Sequence, residues 1–250
     1  MNFMLVNDDG IEAAGIKALA EALAEVGDVY VCAPAFQQSG KSHSITLMGT
    51  VKVEEAYFPG AVKAYKTSGT PADCTRIGLQ LFEDSGAKID IVFSGVNTGS
   101  NLGDDTLYSG TVGAAMEAAL MGHHGVAVSV SGHGASHFEG ACKLAVDVIP
   151  FIKKDLPTDI ILNINTPDVE MSQLKGIKYP PLGPSVFIDY FSDNGGTDYE
   201  LIGHERTLEI LEPHVDVAEN LKGYATITPL LCDFTDHKRL GIVEKWGLNI

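Results

Sequence analysis

Short, uninterrupted apolar runs alternate along this chain with segments whose apolar residues recur at helical spacing, and that alternation restricts the fold more than any other feature. Phe3-Met4-Leu5-Val6 is the first run, closed by Asn7-Asp8-Asp9-Gly10. A strand with no polar alternation is one buried on both faces. Ile11, Ala14, Ile16, Leu19, Leu23 and Val26 then recur at helical spacing until Gly27 stops the pattern. Val29 to Ala33 is the next strand, ended by Pro34. Such a β-α-β opening implies parallel strands joined by a right-handed crossover. The pattern returns as a strand over 89–93, a small-residue helix over 110–121, a strand over 126–130, a helix over 138–153 and a strand over 160–164. Residues 1–183 therefore read as an α/β domain: three layers, doubly wound and Rossmann-like, around a mostly parallel sheet.

The pattern breaks at Pro180-Pro181-Leu182-Gly183-Pro184. Beyond it, apolar runs from Val186 to Phe191 and from Tyr199 to Ile202 flank Asn194-Gly195, a strong hairpin-turn signal. A short acidic segment, Asp216 to Asn220, precedes a last strand over 224–228. A lone hairpin cannot cover both of its faces, so 184–250 reads as a protruding hairpin and C-terminal arm used in oligomerisation, not as an independent domain.

Charge narrows the partners. The chain has 33 acidic and 17 basic side chains, a net charge of −16. Both halves are acidic, which excludes a basic surface for a nucleic-acid polymer and disfavours an anionic membrane. A small anionic substrate would need a local source of positive potential. Cys32, Cys74, Cys142 and Cys232 are widely scattered, with no Cys-x-x-Cys pair, and read as buried thiols of a reducing compartment. Met1 to Val6 meets Asp8 and Asp9 at once, without the basic start of a signal peptide, and no apolar run is long enough to span a membrane. A cytoplasmic setting is expected.

Ligands of open α/β sheets bind beyond the carboxyl ends of the strands. Asn7-Asp8-Asp9-Gly10 lies at such an end. Two adjacent carboxylates fit a hard divalent cation such as Mg²⁺ or Mn²⁺. They fit equally an Asp-rich turn with Asp9 capping the next helix. Ala35 to Ser42 imitates a phosphate-binding P-loop, but β-rich sequence follows where a helix should open, which excludes that reading. Ser94-Gly95-Val96-Asn97 follows a third strand, and Ser109-Gly110-Thr111 opens the small-residue helix, whose N-terminus is a potential anion site or simply a capped end. His123-His124 reads as a solvated turn. Asp233 and His237, four apart, would share a helix face.

Together these motifs resemble the SurE family of stationary-phase survival proteins. The resemblance rests on Asn7 to Ile11 with Gly15-Ile16, Gln38-Ser39-Gly40, Ile45-Thr46, Gly69 to Cys74, Ser94 to Asn97, Asn101 to Thr111 with Gly113 to Glu117, and the C-terminal Gly223-Tyr224, Ile227 to Leu230, Asp233 and Thr235. It covers essentially the whole chain and implies a metal-dependent 5′-nucleotidase that hydrolyses nucleoside 5′-monophosphates, with 3′-nucleotides and short polyphosphate as further substrates in some members. It implies one divalent ion per subunit, Mg²⁺ or Mn²⁺, on Asp8, Asp9, Ser39 and Asn97, with Asp8 and Asp9 catalytic. The substrate phosphate would lie at Asn101, Ser109, Gly110 and Thr111. The leaving-group acid is left unassigned, with His43 and His237 as candidates. Dimers or tetramers with exchanged C-terminal arms are implied as well. A nucleotide-binding sensor without turnover is the alternative.

Overall fold

The computed structural model describes residues 1–132, 134–185, 187–205, 211–246 and 248. The first apolar run forms β1 (Asn2–Val6), whose side chains divide by parity. Phe3 and Leu5 enter one core and Met4 and Val6 the other, all fully buried. α1 (Ala14–Ala24) buries Ile16, Leu19, Ala20 and Leu23 and leads to β2 (Asp28–Pro34). Val26 lies beyond the helix end and is exposed, so the helical face is shorter than its spacing suggests.

The chain continues through β3 (Val53–Ala56), β4 (Ala61–Thr67), α2 (Pro71–Asp84), β5 (Ile91–Thr98), α3 (Gly110–Leu120) and β6 (His124–Ser131). Then come α4 (Glu139–Asp147), α5 (Ile149–Asp155), β7 (Ile160–Pro167), β8 (Ile177–Lys178), β9 (Phe187–Asp193), β10 (Tyr199–Glu205), α6 (Asp216–Leu221), β11 (Ala225–Leu231) and α7 (Leu240–Glu244). Nine strands form one sheet in the order β3-β4-β2-β1-β5-β6-β7-β11-β8. From β1 the chain winds outward to β2 and β4, then returns through α2 to place β5 on the other side of β1. That reversal opens a crevice at the carboxyl end of β1, where α/β sheets take their ligands. α1 packs with α4 on one face and α2 with α3 on the other, which completes the three layers.

The structure departs from the sequence reading at definite points. The helix expected over 138–153 is two helices, α4 and α5, because Pro150 lacks the N–H that a continuous helix would use. The sheet is mostly parallel as the sequence reads, with two antiparallel pairs, β3 with β4 and β11 with β7. The apolar runs do not announce β4 or α2, although Thr70-Pro71-Ala72-Asp73 carries a capping box and a proline at the helix start. Asp216–Leu221 is a helix, not merely an acidic linker. His123 lies 3.5 Å from Glu83 and His124 opens β6, so neither is a free turn residue. The hairpin β9–β10 is a separate two-stranded sheet, turning at Asn194-Gly195; Val186, at its expected start, lies outside the described residues.

Asp73 does more than cap α2. Its carboxylate accepts from Thr70 N–H at 3.0 Å, Thr46 N–H at 2.9 Å and the Thr46 hydroxyl at 2.6 Å. Burial pushes its carboxyl up, but these hydrogen bonds outweigh burial and hold it below its ordinary value of 3.8. A depressed folded-state value means stabilisation that is full above 3.8 and lost as pH falls through the folded value. Asp73→Ala should therefore lower stability by about 1–2 kcal/mol at neutral pH, from a lost cap and a lost tie. Thermal melts of both proteins should converge as pH falls below the ordinary carboxylate range, and a gap that persists unchanged at acid pH would sink the assignment.

Candidate active site at the switch point

The crevice beside β1 is built from three strand ends and one helix start. Asn7 and Asp8 are buried and Asp9 is half-buried. The Asn7 amide donates to Gly10 O at 2.8 Å, which closes the turn that presents the two carboxylates. The Thr111 hydroxyl donates to Asp8 Oδ1. Gly110 lies against the same carboxylate: a Cβ there would stand 3.0 Å from Asp8 Oδ2. Asp8 therefore sits at the N-terminal, positive end of α3. Burial still pushes its carboxyl above the ordinary range; the Thr111 hydrogen bond opposes this and the neighbouring Asp9 charge adds to it.

Asp9 is fixed from the other side. Its Oδ2 accepts from Thr98 N–H at 3.1 Å and the Thr98 hydroxyl at 3.2 Å. This contact exists because β5 does not stop at Phe93 as its apolar run suggests. It continues to Thr98 through a register shift between Ser94 and Asn97, with Asn97 opposite Ser129 of β6. Asn97 Nδ2 donates to Gly99 O at 2.8 Å, so its amide oxygen is the free end. Ser39 arrives on the loop after β2, held beside the turn because Gln38 N–H donates to Asp8 O at 2.7 Å. The Ser39 hydroxyl also takes a 3.0 Å hydrogen bond from Gln37.

Asp8, Asp9, Ser39 and Asn97 are thus carried to one crevice by β1, β2 and β5. The donor set suits a hard divalent cation: two carboxylates, a hydroxyl and an amide oxygen, with no sulfur or imidazole. Asp8 is buried beside a second carboxylate, and the buried Asn7 Oδ1 has no hydrogen-bond partner. Among the described residues no three His, Cys, Asp or Glu side chains cluster as a metal group, as expected when half the donors are Ser and Asn.

The expected phosphate residues divide. Ser109 caps α3, accepting from Val112 N–H at 3.0 Å, and its hydroxyl proton and the Gly110 N–H face no intrahelical acceptor. Thr111 is committed to Asp8. Asn101 belongs to a buried amide cluster. Its N–H donates to Asn165 Oδ1 at 2.8 Å and its Nδ2 to Ser129 Oγ at 2.8 Å, while its carbonyl accepts from Asn163 and Asn165 at 2.7 and 3.1 Å. Asn101 is the brace of the 99–103 loop.

Neither histidine stands free. His43 Nε2 is 2.6 Å from Glu117 Oε2. His237 is 2.7 Å from Asp233 in an exposed loop rather than on a helix, since Asp233 also accepts from Thr235 N–H at 2.8 Å. The threonine grips on Asp8 and Asp9 and the Glu117 contact had no signal in the spacing, because each joins residues at least 74 apart.

A family model described as "Survival protein SurE" matches residues 3–188. The chain is 39% identical to a protein of Clostridium beijerinckii named 5′-nucleotidase SurE, over 98% of each. It is 40% identical to one of Clostridium botulinum and 35% to one of Thermoanaerobacter pseudethanolicus, both of the same name and covered over 100% of each chain. The crystal structure of the SurE protein from Aquifex aeolicus superposes with a TM-score of 0.84 at 34% identity, covering 98% of this chain and 99% of that one. With the family's motifs gathered at the switch point of its sheet, this chain belongs to the SurE family.

Proposed function

We propose that the protein is a divalent-metal-dependent 5′-nucleotidase, converting nucleoside 5′-monophosphates to nucleoside and phosphate. Full-length relatives bearing that name support the activity. The observation that carries the chemistry is the pair of adjacent carboxylates, each gripped by a threonine from another element. One ion per chain, Mg²⁺ or Mn²⁺, would be held by Asp8, Asp9, Ser39 and Asn97. When bound, such an ion polarises the phosphoryl group and lowers the pKa of a water molecule toward neutrality. Asp8 and Asp9 supply the negative charge that attracts it, while Thr111 and Thr98 keep both carboxylates from swinging apart. Ser109 Oγ–H and Gly110 N–H donate to phosphate oxygens at the positive end of α3.

The domain reading stands with this proposal in a narrower form: β11 lies within the nine-stranded sheet and α6 packs on it, so of 184–250 only the hairpin β9–β10 and the segment beyond β11 form the arm through which chains associate. Tyr190, Phe191, Tyr199 and Leu201 on the hairpin and Phe234, Ile242 and Trp246 beyond β11 are exposed, which supports a dimer or tetramer. Free thiols at Cys32, Cys74, Cys142 and Cys232 support a reducing, cytoplasmic setting. Among the described residues no helix is long and apolar enough to cross a membrane.

The test is phosphate release from 5′- and 3′-nucleotides and short polyphosphate, before and after chelation, with Mg²⁺ or Mn²⁺ added back. Release from 5′-monophosphates that chelator abolishes and metal restores is expected. Release indifferent to chelator would overturn the metal reading. Saturable nucleotide binding without release would favour the sensor.

A further inference from the structure

We propose that His43 and Glu117 are positioning residues that clamp the Ser39 loop over the site and thereby set its affinity for a divalent ion; this rests on the metal reading above. Residues 35–50 contain no helix or strand, yet the loop is tied at many points. Gln38 N–H donates to Asp8 O at 2.7 Å. Ser42 donates through N–H to Tyr108 O at 3.0 Å and through its hydroxyl to Leu107 O. The Thr70 hydroxyl donates to Ser44 O at 2.6 Å, and Thr46 bonds Asp73. Only Ser39, Gly40 and Lys41 lie exposed between the ties at 38 and 42, and Gly40 adopts a φ of 71° over open space.

His43 ties this loop to a second buried carboxylate, Glu117, as Thr46 ties it to Asp73. Glu117 is 2% exposed, and its two oxygens are shared between His43 Nε2 at 2.6 Å and Arg76 Nε at 2.5 Å. Burial opposes ionisation of Glu117, but these two partners outweigh it and hold the carboxyl below its ordinary range. The loop backbone also rests directly on α3: a Cβ at Gly113 would stand 2.7 Å from Ser42 O and 2.9 Å from His43 Cα.

This geometry separates positioning from chemistry. Glu117 lies seven residues along α3 from Gly110, about 10 Å at 1.5 Å per residue. His43 Nε2 is already committed to Glu117, on the side of the loop that faces α3. What the contact can do is keep Ser39 in place, so that its ordering does not have to accompany ion binding. Losing the direct partner of a metal ligand weakens affinity by about 10–100-fold, and a clamp four residues from Ser39 acts at the low end of that range.

The experiment titrates Mn²⁺ into wild type, His43→Ala, His43→Gln and His43→Asn without nucleotide, following free Mn²⁺ by electron paramagnetic resonance. Melting temperature and kcat at saturating Mn²⁺ are measured alongside. His43→Ala and His43→Asn, whose amide is too short to reach Glu117, should weaken Mn²⁺ binding at least 10-fold while kcat at saturating Mn²⁺ stays within about 3-fold. His43→Gln, which places a donor where Nε2 stood, should recover binding to within about 3-fold. If His43→Ala fails to fold, the Asn and Gln pair carries the comparison. Unchanged Mn²⁺ affinity in the Asn variant overturns the clamp, as does a kcat loss at saturating Mn²⁺ with affinity intact. A wild type that does not bind Mn²⁺ overturns the metal reading on which the clamp rests.

Discussion

Replacing Asp9 with Asn is expected to lower phosphate release from a nucleoside 5′-monophosphate by about 10³-fold, equivalent to about 4 kcal/mol of transition-state stabilisation. Asn keeps the shape of the side chain and can still accept from Thr98 N–H and its hydroxyl, so the turn and β5 stay together. What disappears is one of two adjacent negative charges at a crevice where a divalent cation must be attracted. The effect on the metal-free protein runs the other way. Asp9 is one of the influences that push buried Asp8 toward its protonated form, so removing that charge leaves the fold as stable or more stable. The two measurements together are diagnostic: activity falls while the melting temperature without metal holds or rises, and the increase in melting temperature on adding Mn²⁺ is lost. A variant that retains activity within about 10-fold of wild type, or that melts well below it, removes Asp9 from the site.

The second large effect is structural and lies one residue from the site. A Cβ at Gly15 would stand 1.9 Å from Val96 O and 2.9 Å from Val96 C. The first turn of α1 therefore rests on the backbone of β5 in its irregular stretch, between Ser94 and Asn97. Neither partner is a flexible side chain that could move aside. Gly15→Ala forces helix and strand apart and is expected to destabilise by about 3 kcal/mol, the upper part of the range for overpacking. For a chain of this size that is a fall in melting temperature of about 6–12 °C. Because Val96 immediately precedes Asn97, divalent-ion affinity should fall with it. A melting temperature within about 2 °C of wild type would show that α1 does not bear on β5 as described.

The motifs at the site were legible in the sequence because each lies where an apolar run gives way to polar residues. Asn7-Asp8-Asp9-Gly10 follows β1, Ser39 follows β2 and Ser109 begins a helix. The doubly wound order followed from strands without polar alternation, as Phe3 to Val6 show. What the sequence could not display is the set of contacts that holds those motifs in place. Thr98 on Asp9 depends on β5 running five residues past Phe93, through a register shift that no periodicity announces. Glu117 looked like one acid in a helix of small residues, yet it is among the most deeply buried charges, satisfied by partners from a loop and from α2. Pro150 marks the α4–α5 break, although helical apolar spacing continues across it. Asn101 shows the reverse: it lies in the phosphate motif, yet its side chain and backbone bond the framework residues Ser129, Asn163 and Asn165.

The ends of the nine-stranded sheet bear on how the protein behaves at high concentration. A long bare edge strand is a template on which other chains can polymerise. Here one edge is β3, four residues with Glu54 and Glu55 at its centre, and the other is β8, only two residues long. Neither gives an incoming strand enough ladder to grow on. The strands of the hairpin β9–β10 carry acidic residues too, but they are seven residues long and each has one side unpaired within its two-stranded sheet. Colloidal behaviour should therefore be governed by 187–205 rather than by the sheet that carries the chemistry. Shortening that hairpin would trade away association while leaving the α/β body without a sticky edge.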